Sequence, residues 1–256
     1  MKRFWLVLFT IAACALNALS PPVQEILDLF GVAEENVQEL WVQKGKERWE
    51  FDKRYEYMRP NAWPLFEKAG LISEAYPKKE RYDYAVVFGA LLSRVEDRVD
   101  YLADLWNQGI RFNRIIFLTG QRPLLEREKS VCGAEMETEM VKWVYSQSAL
   151  PKEVPILFID APQKMRDGIW VRPDTKDTVS EWLKTHPDNG SVIAISNQPY
   201  VGYQKAVIQS LLPNGFEVDA AGPAVKGEPT VALILDTIAK QLFFDTQFQT
   251  SLVPVH

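Results

Sequence analysis

The feature that most constrains the fold is a repeated alternation between apolar runs and amphipathic segments, which begins near Tyr82. Five short runs are almost uninterrupted by polar residues: YAVVF (84–88), RIIFLT (114–119), VPILFID (154–160), SVIAIS (191–196) and FEVDAAG (216–222). Runs of this kind are typical of strands that are buried on both faces. Segments with helical apolar spacing separate them. The pattern therefore predicts an α/β fold with about five parallel strands and helices on both faces of the sheet.

Residues 21–80 precede this pattern and have a different composition. They form an N-terminal extension that is rich in aromatic residues: Trp41, Trp49, Phe51, Tyr55, Tyr57, Trp63 and Phe66. Such a set of rings either covers a ligand cleft or packs on the main domain, which spans residues 81–256. Both interpretations remain open from the sequence.

The first 20 residues, MKRFWLVLFTIAACALNALS, are typical of a secretory signal. Lys2 and Arg3 precede an apolar run, and small residues follow it. Ala13-Cys14-Ala15 fits a cleavage site, whereas Ile11-Ala12-Ala13-Cys14 is similar to a bacterial lipobox in which Cys14 is lipidated. An uncleaved anchor is a third interpretation. Each predicts an exported protein that is periplasmic, or membrane-anchored and facing the periplasm.

Charge and composition exclude several kinds of site. The net charge is −5 and no segment is strongly basic, which argues against a nucleic-acid partner. Only two Cys and two His occur, so a zinc site is not expected. Gly89 and Gly120 follow strands, but neither belongs to GxGxxG or to a P-loop signature. No motif specifies a cofactor or an oligomeric state, and the expected partner is a small-molecule ligand.

Candidate ligand-binding residues follow from the predicted sheet, because ligands bind beyond the carboxyl ends of parallel strands. Glycines there let the backbone approach a ligand, and helix starts offer free N–H groups to anions. Arg98 and Lys205 are candidate anion contacts. The remaining candidates lie at strand ends or helix starts: Gly89, Thr119, Gly120, Gln121, Asp174, Thr175, Asp177, Thr178, Ser196 and Asn197.

Two glutamates are candidates for acid/base catalysis. In the helix predicted at 133–147, Met136, Met140 and Val144 define the packed face, and Glu137 projects into it. A carboxylate there, in the first turn of a helix at the ligand edge, is suited to act as a general base. Glu135 reaches the same edge only if the helix begins later than predicted.

The segment VVFGALLSRVEDRVDYLADLWNQG, followed by RIIFLTG, resembles the SanA/ElyC/YdcF-like proteins of the bacterial envelope. The resemblance covers about residues 84–223 and rests on an apolar strand that ends in Gly, then an Arg, then apolar residues up to a Gly; the matching positions are Arg98, Leu102, Leu105, Trp106 and Gly109. It implies a Rossmann-like three-layer α/β/α domain, a Glu at a helix start, and a role in envelope or peptidoglycan-precursor metabolism. Thr178 stands where the family has Asn, or Glu181 does in an alternative register that starts at Asp177-Thr178. Lys205-Ala206 replaces Arg-Ala without the family's His.

Two functional hypotheses follow. The first is a hydrolase or transferase that acts on a small phosphate- or sugar-containing ligand, with Glu137 or Glu135 as the acid/base. The second is a ligand-binding envelope-maintenance protein that has lost turnover, which the missing His and Asn favour.

Overall fold

The computed structural model describes residues 19–45, 50, 51 and 53–252 of the 256-residue chain. Cys14 and residues 1–18 of the predicted signal lie outside the described residues. Among the residues described, no helix is both long enough and apolar enough to cross a membrane.

The main domain is built on a five-stranded parallel sheet. In chain order the strands are β1 (Arg81–Phe88), β2 (Arg111–Gly120), β3 (Ile156–Ala161), β4 (Lys164–Arg166), β5 (Ile169–Val171), β6 (Ser191–Ile195) and β7 (Glu217–Ala221). The sheet order is β3-β2-β1-β6-β7, while β4 and β5 form a separate antiparallel hairpin. All five predicted strands are confirmed, and the parallel sheet flanked by helices is a Rossmann-like three-layer arrangement.

The helices surround this sheet and form the extension. They are α1 (Pro21–Phe30), α2 (Val37–Leu40), α3 (Arg59–Lys68), α4 (Leu92–Asn107), α5 (Glu126–Cys132), α6 (Glu137–Gln147), α7 (Thr175–Leu183), α8 (Val201–Leu211) and α9 (Val231–Leu252). Among the described residues of the extension, Glu34–Asn36 and Glu56–Met58 form short 3₁₀ helices.

Alternating residues of each strand face opposite helical layers, because successive side chains point to opposite faces of a sheet. Val87 of β1 and Phe117 of β2 pack in the cluster that contains α4 and α6. Their neighbours Val86 and Leu118 pack in the cluster that contains α7 and α8. Burial on both faces explains why the strands have no polar alternation in the sequence.

The N-terminal extension packs against α9 in a third apolar cluster. Trp41 and Phe66 are fully buried there, beside Ile234 and Leu235 of α9. The sequence left open whether the aromatic residues cover a ligand cleft or pack on the main domain. Trp41 and Phe66 pack on the main domain.

The strand order places a switch point between β1 and β6. From β1 the chain proceeds outward through β2 and β3, and then returns to the other side of β1 to build β6 and β7. The carboxyl ends of β1 and β6 therefore diverge into helices on opposite faces, which is where open α/β sheets bind ligands. This edge is the region in which a functional site is expected.

Candidate functional site

The carboxyl group of Glu137 lies between the ends of β1 and β2. Its Oε2 accepts a hydrogen bond from the Gly120 N–H at 3.2 Å, and its Oε1 accepts one from Arg122 Nε at 3.2 Å. A Cβ added to Gly89 would lie 2.9 Å from the carboxyl carbon of Glu137, so only glycine admits this approach. The side chain of Glu137 retains 11% exposure. Most of the Glu137 side chain is therefore buried, but a small part of it is accessible to solvent at the edge where a ligand is expected.

Local structure aims Glu137 at this edge. Glu137 is the first residue of α6, whose buried residues Met140 and Val141 pack against the sheet. The Glu137 N–H donates to Arg122 O at 3.0 Å, and this bond fixes the start of the helix beside the segment that leaves β2. A first-turn residue on the packed face of this helix necessarily points at the strand ends.

Arg122 joins Glu137 to a second buried carboxylate, Glu128 of α5. The guanidinium makes two contacts with Glu128, at 2.9 Å and 3.1 Å, and donates to Ala90 O at 3.0 Å. A bidentate contact between Arg and a carboxylate is stronger than a single one. Glu128 is therefore the main partner of Arg122, and Glu137 is the secondary one.

The two carboxylates consequently differ in proton affinity. Burial disfavours the charged form of Glu128, but the hydrogen bonds from Arg122 and from the N–H groups of Leu125 and Leu92 outweigh it and hold the pKa of Glu128 below its ordinary value of 4.5. For Glu137, burial dominates and raises the pKa above 4.5, against the opposing effects of Arg122 and Gly120. Of the two carboxyl groups, Glu137 therefore holds a proton more readily than Glu128.

Glu128 also closes the start of α4. Its Oε1 accepts a hydrogen bond from the Leu92 N–H at 2.9 Å, and its Oε2 accepts one from the Leu125 N–H at 2.9 Å. A helix that follows β1 offers free N–H groups to an anion, and the sequence predicted a ligand near Gly89 on that basis. A carboxylate of the chain itself takes up that donor, so Gly89 contacts Glu137 instead of forming an anion cradle.

A second arginine lies near Glu137 from the other side. The positive charge of Arg172 lowers the pKa of Glu137 in opposition to burial. Arg172 precedes Pro173, whose Cγ lies only 2.2 Å from the position that a Cβ on Gly120 would take. Gly120 is therefore required for the segment before α7 to lie against the end of β2. Arg172 is exposed, so it can meet a ligand from solvent.

A chain of hydroxyl and carboxyl groups continues along the ends of β2 and β3. Thr119 Oγ1 donates to Ile159 O at 2.5 Å and lies 2.8 Å from Thr138 Oγ1, which donates to Asp160 Oδ1 at 2.6 Å. Gln121 Nε2 lies 3.4 Å from Asp160 Oδ2. Thr119 is fully buried, so it supports this edge from below and is not available to a ligand.

The start of α7 has a structural explanation that the sequence analysis underestimated. Asp174 accepts from the Asp177 N–H at 3.1 Å, and Asp177 accepts from the Asp174 N–H at 2.8 Å. Asp177 also contacts Lys164 at 2.5 Å, and the Thr178 hydroxyl donates to Thr175 O at 3.0 Å. A capping box, an ion pair with the hairpin and a local hydroxyl bond therefore account for the side chains of Asp174, Asp177 and Thr178, three of the four residues of this segment that were predicted to bind a ligand.

Arg98 clamps the switch point and is not placed to contact an anion. Its guanidinium donates to Phe88 O at 2.6 Å, to Gly89 O at 3.1 Å, to Asn197 Oδ1 at 2.6 Å and to Ser196 Oγ at 3.4 Å. Arg98, Ser196 and Asn197 are each at most 2% exposed. The three predicted ligand contacts instead join the ends of β1 and β6.

Two further residues that were predicted to belong to the site lie away from the strand ends. Lys205 lies on α8 facing α9, where its charge acts on Asp245, because the helix turns this position away from the strand ends. Glu135 precedes α6, is 73% exposed and pairs with Lys129 at 2.6 Å. Of the two candidate acid/base residues, only Glu137 reaches the strand edge.

A cavity of about 150 Å³ lies at the same edge, beyond the start of α4. Arg94, Tyr200 and Lys226 contribute to its lining, and the buried side chain of Gln198 lines its inner side. The Gln198 amide donates to Gly70 O at 2.8 Å and to Ser73 O at 2.9 Å, so its orientation is fixed. Glu137 does not line this cavity, which is therefore distinct from the carboxylate site.

Sequence reasoning missed three functional candidates: Arg122, Glu128 and Arg172. Arg122 had a signal, because it lies two residues after the predicted strand end Thr119-Gly120. Glu128 lies within the polar loop predicted after that strand, and Arg172 is far from it in sequence; neither carries a periodic signal. Within the described ranges, no group of three His, Cys, Asp or Glu side chains is placed to hold a metal ion. Comparison with protein-family models and with curated proteins found no match to this chain.

Proposed function

We propose that the protein is an enzyme, a hydrolase or transferase, that acts on a small phosphate- or sugar-containing ligand with Glu137 as general acid/base. One observation carries the proposal: a carboxyl group with a raised pKa lies between two glycine-ended strands at the ligand edge of the sheet. General acid/base catalysis favours a carboxyl group whose proton affinity is shifted toward neutral pH. Structural carboxylates are more often held ionised, as Glu128 is.

The surroundings of Glu137 support an anionic or hydroxyl-rich ligand. Arg172 is exposed beside it and offers a charged, planar donor set to a phosphate or carboxylate group. Arg122 is committed to Glu128 and holds Glu137 in place. In this proposal Arg172 binds the ligand, Glu137 moves the proton, and Arg122 positions Glu137.

The proposed place of action is the cell envelope. The signal-like composition of residues 1–20 supports export, and the resemblance to SanA/ElyC/YdcF-like proteins supports a role in envelope or peptidoglycan-precursor metabolism. Cys14 is the proposed lipid attachment point if the lipobox-like segment is processed as one.

The proposal is tested by incubating the purified full chain with a panel of phosphate monoesters, sugar phosphates and nucleotide sugars, and by detecting products with mass spectrometry. For any substrate found, we expect Glu137→Gln to lower the rate by about 10²–10⁴-fold, the usual contribution of a positioned acid or base. Glu135→Gln is the matched control, because it makes the same change two residues away on an exposed side chain. Equal rates in the two variants would show that Glu137 has no catalytic role.

A second function, ligand binding without turnover, is favoured by the separate cavity at Arg94 and Tyr200. A ligand held there does not contact Glu137. Under this alternative, members of the same panel raise the melting temperature of the protein, no product appears, and Arg94→Ala removes the stabilisation while Glu137→Gln keeps it.

A further inference from the structure

The β4–β5 hairpin lies in the chain between β3, an edge strand of the sheet, and α7. β4 and β5 pair through Lys164↔Val171, Met165↔Trp170 and Arg166↔Ile169, and among the described strands they pair only with each other. Asp167 and Gly168 connect them with positive φ angles of 52° and 79°, as a tight two-residue hairpin turn requires. The chain then continues directly into Arg172.

Three large apolar side chains of this hairpin are exposed. Met165 is 54% exposed, Ile169 is 67% and Trp170 is 63%. Large apolar side chains that are exposed together in one small element often mark a binding surface. An isolated two-stranded hairpin is also marginally stable in water, so a contact that covers these side chains would stabilise it.

The apolar side chains lie on both faces of the hairpin. Met165 and Trp170 are directly paired across the strands and share one face, whereas Ile169 is paired with Arg166 and points to the other. A protein partner that docks on one face leaves the other in water. A lipid interface surrounds a protruding hairpin on both faces, and Trp is the residue that most favours this environment.

The charges around the hairpin fit an anionic surface. Within a chain of net charge −5, residues 164–177 contain four basic and three acidic side chains, and Lys164 is paired with Asp174 and Asp177. Arg166 and Asp167 are both exposed at the tip, and Arg172 and Lys176 are exposed beyond its base. Basic residues next to inserted apolar groups add electrostatic attraction to anionic headgroups.

From this combination we infer that the β4–β5 hairpin inserts its tip into the interface of a bilayer that carries anionic headgroups. The hairpin then brings Arg172, and the strand edge beside it, to the membrane surface. This contact is separate from any attachment through residues 1–20, and it does not depend on the proposed catalytic role of Glu137.

The test places a polarity-sensitive fluorophore on the hairpin tip of the full chain. Cys14 and Cys132 are replaced by Ser, and Ile169→Cys is labelled and reconstituted into vesicles of phosphatidylglycerol and phosphatidylethanolamine. Quenching by lipids spin-labelled at different depths should place the label about 5–10 Å below the headgroup boundary. Glu217→Cys is the matched control, because this exposed residue begins β7 at the opposite edge of the sheet; its label should remain unquenched.

Three outcomes decide the inference. Depth-dependent quenching at position 169, weakened by an added Arg166→Glu substitution or by vesicles of phosphatidylcholine alone, supports it. No quenching at position 169 in either vesicle overturns it. A change in emission that depends on protein concentration and not on lipid also overturns it, because the hairpin then contacts a second copy of the chain. An unchanged melting temperature confirms that the labelled variant is folded.

Discussion

Arg122→Met is predicted to destabilise the protein strongly, although Arg122 lies outside the apolar cores. Arg122 contacts Glu128 at 2.9 Å and Glu137 at 3.2 Å, and its side chain is only 10% exposed. Removal of the guanidinium leaves two covered carboxylates without their shared cation. Breaking a buried ion pair in this way costs about 3–5 kcal/mol. For a protein of this size the melting temperature should fall by about 6–20 °C.

The measurement is urea unfolding of the full chain, followed by Trp fluorescence and far-UV circular dichroism so that coincidence of the two transitions can be checked. Lys68→Met serves as the control, because Lys68 pairs with Glu25 while both side chains remain about half exposed at 54% and 42%. An exposed pair of this kind contributes at most about 1 kcal/mol. Adding Glu128→Gln to Arg122→Met should restore part of the loss, since one uncompensated buried charge disappears.

If Arg122→Met and Lys68→Met cost the same, the cluster does not hold the segment between β2 and α6. The assignment of Glu137 as the proton-binding member would then lose its basis as well. That assignment assumes that Arg122 is committed to Glu128.

Two further predictions concern the same edge. Because the pKa of Glu137 is raised above its ordinary value of 4.5, its contribution to stability is fully present below about pH 4.5 and is lost as the pH rises through the folded-state pKa. Glu137→Gln should therefore gain stability relative to wild type as the pH rises above about 4.5, and a pH-independent difference in urea unfolding would contradict this. Gly120→Ala should lower the free energy of unfolding by about 1–3 kcal/mol, because the added Cβ would lie 2.2 Å from Pro173 and 3.1 Å from Ala161 O. Gly202→Ala is the control and should be nearly neutral, because the flexible end of Gln241 can move away from the added Cβ. Similar unfolding free energies for the two variants would refute the close packing of Pro173.

The sheet was predictable from the sequence because both of its faces are covered. Burial on both faces leaves continuous apolar runs such as those of β1 and β2, and these runs need no knowledge of the partner strand. The helical projection also placed Glu137 on the packed side of α6, since that orientation depends only on residue spacing. Properties set by local periodicity were therefore recovered.

The partners of Glu137 were not recovered, because they are brought together by tertiary contacts. α5 has only seven residues and is mostly polar, so its sequence predicts a loop. The bonds of Glu128 to Arg122 and to Leu92 become apparent only in the structure. Arg98 was assigned to a ligand because a charged residue near a strand end suggested one. Its acceptors are carbonyl and side-chain oxygens of other segments, which the sequence does not place.

The hairpin is an intermediate case. Asp167-Gly168 is a strong turn signal, and Ile169 and Trp170, which follow it, are residues that favour strands. The signal was obscured because the hairpin interrupts the expected passage from β3 to α7. The capping residues Asp174 and Asp177 were recognised as polar, but their reciprocal bonds remove the need for a ligand there.

The bond between Glu128 and the start of α4 has a consequence for competition with solutes. Glu128 belongs to the same chain as the Leu92 N–H that it binds, so its effective concentration there is about millimolar or more. The ion pair with Arg122 restricts the Glu128 side chain and raises this effective concentration further. A free phosphate that binds weakly would have to exceed this local concentration to displace it. A weakly binding anion is therefore not expected to displace Glu128 from the Leu92 N–H.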